Sequence, residues 1–169
     1  FYSFGLNIAE KLSHPETEIV SFQKIEGLKD VEDFVSLELW EVTRVRKMDQ
    51  APLILETSYI PVNLLPEVEA ETLEQDSLYD LLESNGVHII RAKEYWEPVN
   101  PSIQVQELLE ISSDIPLFQT LRYTYDSKKQ LVEVRESLIR GDYFRFSVEM
   151  TLWLTTIIFE EAFLKPNVN

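Results

Sequence analysis

Arg44 and Arg46 stand two residues apart in the run Leu39-Trp-Glu-Val-Thr-Arg44-Val-Arg46. Successive side chains of an extended strand alternate faces, so both guanidiniums point the same way. Side by side they repel, and an anion held between them relieves the repulsion. A planar guanidinium fork suits a phosphate or a carboxylate. The plainer alternative leaves each arginine solvated or paired with one of the acids this chain holds in excess. A second apolar arm follows, Leu53-Ile-Leu-Glu56-Thr-Ser-Tyr59, after the connection Lys47-Met-Asp-Gln-Ala-Pro52. Asp and Pro there favour a turn. A turn centred on Gln50 sets Arg44 opposite Glu56, whereas a slip of one residue reverses the faces.

Ser77 opens the segment Ser77-Leu-Tyr79-Asp80-Leu-Leu-Glu-Ser-Asn85-Gly86, which reads as a short helix with a C-terminal stop. A helix N-terminus offers free N–H groups and partial positive charge. The Ser77 hydroxyl either caps the helix, with Asp80 completing a capping box, or bonds an anion. Tyr79 adds a phenolic donor in the first turn. With Arg44 and Arg46 these residues describe one anion pocket. The expected ligand is acidic at one end and hydroxylated or amidated at the other.

Other chemistries find little support. His14 and His88 are far apart in sequence and cysteine is absent, so there is no thiolate metal site and no disulfide. Four glycines make no dinucleotide or Walker loop. No cofactor and no metal is expected, and no Ser-His-acid spacing stands out.

Thirty acids against fifteen bases give a formal charge of -15 over 169 residues. Such a field repels nucleic acid and anionic membrane surfaces. A hydrophobic content of 44% is that of a globular chain with one sizeable core. No apolar run reaches membrane-spanning length. The start, Phe1-Tyr-Ser-Phe4, has neither a Met nor a basic leader and reads as a fragment of something longer.

The elements that must hold these residues are mostly strands. Segments 17–25, 37–46, 53–59, 87–99, 118–125, 131–138 and 143–150 read as strands of one sheet. Short helices are expected at 6–12, at 30–35 with Asp30 as cap, at 77–85 and at 101–110, with 67–75 acidic and exposed. Successive hairpins predict a mainly antiparallel sheet in an α+β domain.

The order Leu39-Trp-x-Val-x-Arg44-x-Arg46, Asp49-x-x-Pro52-Leu-x-x-Glu56-x-x-Tyr59-Ile-Pro61, Ser77-Leu-Tyr79-x-x-Leu82, Tyr125-Asp126 and Arg140-Gly-Asp142-x-Phe144-x-Phe146 resembles the UTRA domain. That is the effector-binding domain of GntR-type transcription regulators of the HutC subfamily. Phe1-x-Ser-Phe4 is similar to the family's start. The resemblance implies a chorismate-lyase-like fold, an antiparallel sheet flanked by helices and paired as a homodimer. It implies a sensor of sugar phosphates or other small acids, with Arg44, Arg46, Ser77 and Tyr79 around the phosphate and Glu56 at the sugar end. Residues 1–150 would form this domain and 151–169 an extension of uncertain role. Arg135 departs from the family, which often has a small or hydroxyl residue there; it either adds a third cation, narrows the pocket or faces solvent.

The expectation is therefore a non-enzymatic, cytoplasmic regulatory domain. It would bind a small anionic effector and reach DNA only through an N-terminal winged-helix domain absent from this chain. An alternative on the same fold is a chorismate-lyase-like enzyme acting on a small carboxylate.

Overall fold

In the computed structural model of the chain the described residues are 16–145, with the backbone of 149–151 and 154–158. Strands β1 (Glu16–Glu26), β2 (Glu38–Met48), β3 (Ala51–Pro61), β4 (Ile89–Val99), β5 (Leu117–Asp126) and β6 (Leu131–Arg140) form one sheet in the order β1-β2-β3-β6-β5-β4. Every neighbouring pair is antiparallel. Helices α1 (Ala70–Gln75) and α2 (Leu78–Ser84) connect β3 to β4, and α3 (Ile103–Leu109) connects β4 to β5. The result is the α+β architecture the strand pattern predicts.

Alternation along the strands separates two faces. Trp40, Val42 and Ile60 pack with Leu73 of α1 and with Leu78 and Leu82 of α2. Val45, Leu55, Leu117 and Leu138 pack on the other face with Val105 and Leu109 of α3. The sheet is therefore helix-covered on both sides. Ile54, Ile139 and Phe118 extend the first face at the opposite end from α2, where Phe144 covers them. Between these two apolar ends lies a band of polar side chains.

The β2–β3 hairpin sets that band. Its turn has two residues, Asp49 and Gln50, with φ of 49° and 67°. Positive φ at both positions matches the twist of the flanking strands. Arg46 then pairs with Ile54 but Lys47 with Pro52, so Leu53 is an extra, bulged residue. Beyond the bulge Arg44 stands opposite Glu56. The expected register is thus reached by a tighter turn plus a bulge.

α2 ends as its sequence predicts. Gly86 has φ of 77°, its N–H reaches Glu83 O at 2.9 Å, and Val87 N–H reaches Leu82 O at 2.9 Å. This pair of bonds closes the helix on a left-handed residue.

Several expectations are corrected. Segment 143–150 is not a strand of the main sheet: Tyr143 lies in a turn, and Glu149–Thr151 (β7) pairs with Leu154–Ile158 (β8) in a separate two-stranded sheet. Segment 67–75 is not merely exposed, because Leu73 of α1 is buried against the sheet. One apolar residue among acids is enough to anchor a short helix. Ser77 occupies the N-cap of α2 without a side-chain cap bond, so the expected capping box with Asp80 does not form. Asp30 caps nothing; a 3-10 turn at Glu32–Phe34 follows Val31 instead. The helix expected at 6–12 lies outside the described residues.

Candidate functional site

Cross-strand partners share a face, so the register itself builds the site. One row across the sheet holds Arg44, Glu56, Ser137 and Thr120. The next holds Val42, Ser58, Arg135, Arg122 and Glu94. A third brings Glu133 beside Thr124. Most of these polar groups are buried, among them Arg44, Glu56, Arg122, Glu133 and Arg135. A polar face of an antiparallel sheet ordinarily turns to water; here it is enclosed.

Arg44 and Glu56 are the tightest pair, with Nη2 donating to Oε1 at 2.5 Å. Arg46 Nη1 approaches the same oxygen at 3.9 Å, and Arg135 Nη1 approaches Oε2 at 3.8 Å. Burial alone would raise the Glu56 carboxyl, but Arg44, Arg135 and Arg46 outweigh it and hold the carboxyl down at about 2. Arg44 is only 2% exposed, whereas the Arg46 side chain keeps 17% of its surface. Burial, with Arg44 and Arg135 nearby, lowers the Arg46 pKa against the pull of Glu56. Among the described residues, Arg44 Nε and Nη1 and Arg122 Nε are buried nitrogens without a hydrogen-bond partner.

Glu133 lies deeper. Its carboxylate accepts from Ser58 Oγ at 2.9 Å, the Tyr79 hydroxyl at 2.7 Å and Thr124 Oγ1 at 3.0 Å. Burial opposes the charge, yet Arg135, Arg122 and these hydroxyls keep its pKa below the ordinary value. Burial pushes the Tyr79 phenol up to about 12, so it stays a hydrogen-bond donor. Arg122 and Arg135 both approach the Tyr79 ring, at 5.7 and 5.6 Å from its centroid.

The structure brings Arg44, Arg46 and Glu56 into contact and joins Tyr79 to them through Arg135. Ser77 is half-buried two residues before Tyr79 and forms no cap bond. Glu56 is not at a far end: it lies between the arginines, because the hairpin register sets it opposite Arg44. Sequence reasoning missed Arg122, Glu133, Ser58 and Thr124. The available signal was that Glu133, Arg135 and Ser137 alternate along β6 as Thr120, Arg122 and Thr124 do along β5. Arg135 proves to be inward-facing.

Arg140 and Asp142 have a different task. Arg140 pairs with both Asp142 oxygens at 3.2 and 2.8 Å and donates to Pro52 O and Leu109 O at 3.1 and 3.5 Å. It ties the end of β6 to the start of β3 and to α3. An open groove of about 470 Å³ over Tyr95, Leu121, Tyr123 and Tyr125 lies on the opposite face of the sheet from the arginine cluster. Its one cation is Lys93. No helix among the described residues is long and apolar enough to cross a membrane, and none of them cluster as metal ligands.

The UTRA domain family model matches residues 11–145. The chain is 28% identical over 149 residues to the HTH-type transcriptional repressor NagR of Bacillus subtilis, covering 85% of this chain and 61% of that protein. It is 23% identical over 154 residues to the mannosyl-D-glycerate transport/metabolism system repressor MngR of Escherichia coli, covering 86% and 62%. The effector domain of PhnF from Mycobacterium smegmatis superposes with a TM-score of 0.69 at 25% identity, over 80% of this chain and 85% of that one. The chain thus spans about three fifths of the length of these two repressors. With this sheet, these helices and a family match over most of its length, the chain belongs to the UTRA domain family found in GntR-family transcriptional regulators.

Proposed function

We propose that the arginine cluster is the effector site of a HutC-type regulator, binding a small anion such as a sugar phosphate through Arg44 and Arg46, with Ser77, Tyr79 and Glu56 around it. One observation carries this reading: three arginines surround the single carboxylate of Glu56 in a chain of charge -15, and buried nitrogens of Arg44 have no partner. Burying several cations together is costly unless anions complete the set. The ligand would approach from the side of Arg46, the more open of the pair.

The effector would act by population shift. Binding favours one arrangement of a two-fold homodimer, so paired N-terminal winged-helix domains, outside this chain, fit or miss their operator half-sites. Such a regulator works in the cytoplasm, where the chromosome is. The site is read as binding rather than catalytic because the relatives that the chain resembles are repressors. Light scattering of the domain is expected to report a dimer; monomer alone at high concentration would count against this arrangement.

A thermal-unfolding screen at matched ionic strength tests the effector reading. Phosphorylated sugars or small acids should raise the melting temperature saturably. A flat response across phosphosugars, amino-acid derivatives and carboxylates would reject an anion effector.

A further inference from the structure

Arg135 is buried at 8% exposure in the central strand β6, on the face that carries Arg44 and Glu56. A guanidinium has several N–H donors in a fixed fork. Arg140 shows how this chain uses a structural arginine, with its donors spread over Asp142, Pro52 O and Leu109 O. Arg135 differs. Among the described residues it meets Glu56 and Glu133 at 3.8 and 3.9 Å, beyond hydrogen-bond distance, and donates one hydrogen bond, to the Tyr79 hydroxyl at 3.3 Å.

Neither carboxylate depends on Arg135 for its hydrogen bonds. Glu133 accepts from Ser58, Tyr79 and Thr124, and Glu56 accepts at Oε1 from Arg44. The fork therefore keeps donors to spare beside a cluster already rich in positive charge. Its place is also particular. Arg44 and Arg46 approach Oε1 of Glu56 while Arg135 approaches Oε2, so the cations form two poles on the two sides of one carboxylate.

We propose that Arg135 is a specificity-determining residue of this pocket, which recognises a second acidic group on the effector. This rests on the effector reading above and narrows it. The ligand class becomes a short hydroxylated carbon chain with two separate acids, such as a phosphate at one end and a carboxylate at the other. The first acid engages Arg44 and Arg46. The second engages Arg135, and Glu56 beneath is neutralised from both sides rather than repelling it.

Titration calorimetry with two matched probes tests this. Glycerol 3-phosphate and 3-phosphoglycerate share a three-carbon skeleton and a phosphate ester; the second has a carboxylate in place of a terminal hydroxymethyl group. The intact domain should bind 3-phosphoglycerate about tenfold tighter or more, the range for bonds to a charged group. Arg135→Gln should reduce that preference to about twofold or less, whatever its absolute affinity for glycerol 3-phosphate. Equal binding of the two probes by the unaltered domain would overturn the role of Arg135 and leave the phosphate reading standing. So would a preference that persists in Arg135→Gln. If Arg135→Gln does not fold, the comparison on the unaltered domain decides alone. Binding of neither probe, nor of inorganic phosphate, would overturn both readings.

Discussion

Arg122 and Arg135 stand directly opposite each other on β5 and β6, both almost closed to solvent. Like charges in that position destabilise a sheet. Here they are separated by what surrounds them. Glu94 pairs with Arg122 at 3.4 Å, Glu56 and Glu133 flank Arg135, and the Tyr79 ring faces both guanidiniums. Tyr79 thus ties α2 to the polar band, through its ring and its hydroxyl.

Tyr79→Phe should keep the ring and lose the hydroxyl that donates to Glu133. Leaving a buried carboxylate short of one donor costs about 1–3 kcal/mol. Urea unfolding should show a lower midpoint with an unchanged slope. Stability equal to that of the unaltered domain would mean the Tyr79–Glu133 bond contributes nothing.

Glu56→Gln should cost about 3 kcal/mol, because it leaves buried arginines without their counter-charge. Phosphate should then stabilise the variant more than the unaltered domain, since an anion replaces the missing charge. A variant that melts at the same temperature and gains no more from phosphate would show that Glu56 does not balance the cluster.

Acid should unfold the domain early. Glu56 falls from an ordinary 4.5 to about 2 in the folded state, and Glu133 is also depressed. A depressed folded-state pKa means that the unfolded chain takes up the proton first. The stability these groups supply is complete above the unfolded value of about 4.5 and is lost as pH falls toward 2. Urea midpoints at pH 5, 4 and 3 should drop steeply for the unaltered domain and less steeply for Glu56→Gln. Parallel slopes would contradict the assignment to Glu56.

Gly86→Ala tests the end of α2 in isolation, since an added Cβ meets nothing within 4 Å. Only the φ of 77° resists the change, so the cost should be about 1–2 kcal/mol. Anion binding should be unaffected. An unchanged melting temperature would mean the left-handed stop is not needed.

The hairpin was legible because its apolar residues and turn chemistry agree, and Arg44 opposite Glu56 follows from them. The bulge at Leu53 was not legible. It and the two-residue turn compensate, so the register came out the same. The inward band was hidden for a physical reason. Alternating Glu133, Arg135, Ser137 on β6 has the pattern of a solvent-facing side, and tertiary burial, to which Tyr79 of α2 contributes through Glu133 and Arg135, reverses that meaning. Ser77 misled in the other direction, because its type fits a cap that its side chain does not make.

Arg44 and Arg46 are proposed to hold the effector's acid. Titration calorimetry of the unaltered domain and of Arg46→Ala with a sugar phosphate tests it most directly. Arg46 is the better target because it is more open and lacks the close carboxylate bond of Arg44, so its removal should spare the fold. Saturable binding to the unaltered domain and a loss of roughly tenfold or more in Arg46→Ala are expected, with both proteins giving the same circular dichroism. Equal affinity in the two proteins would contradict it.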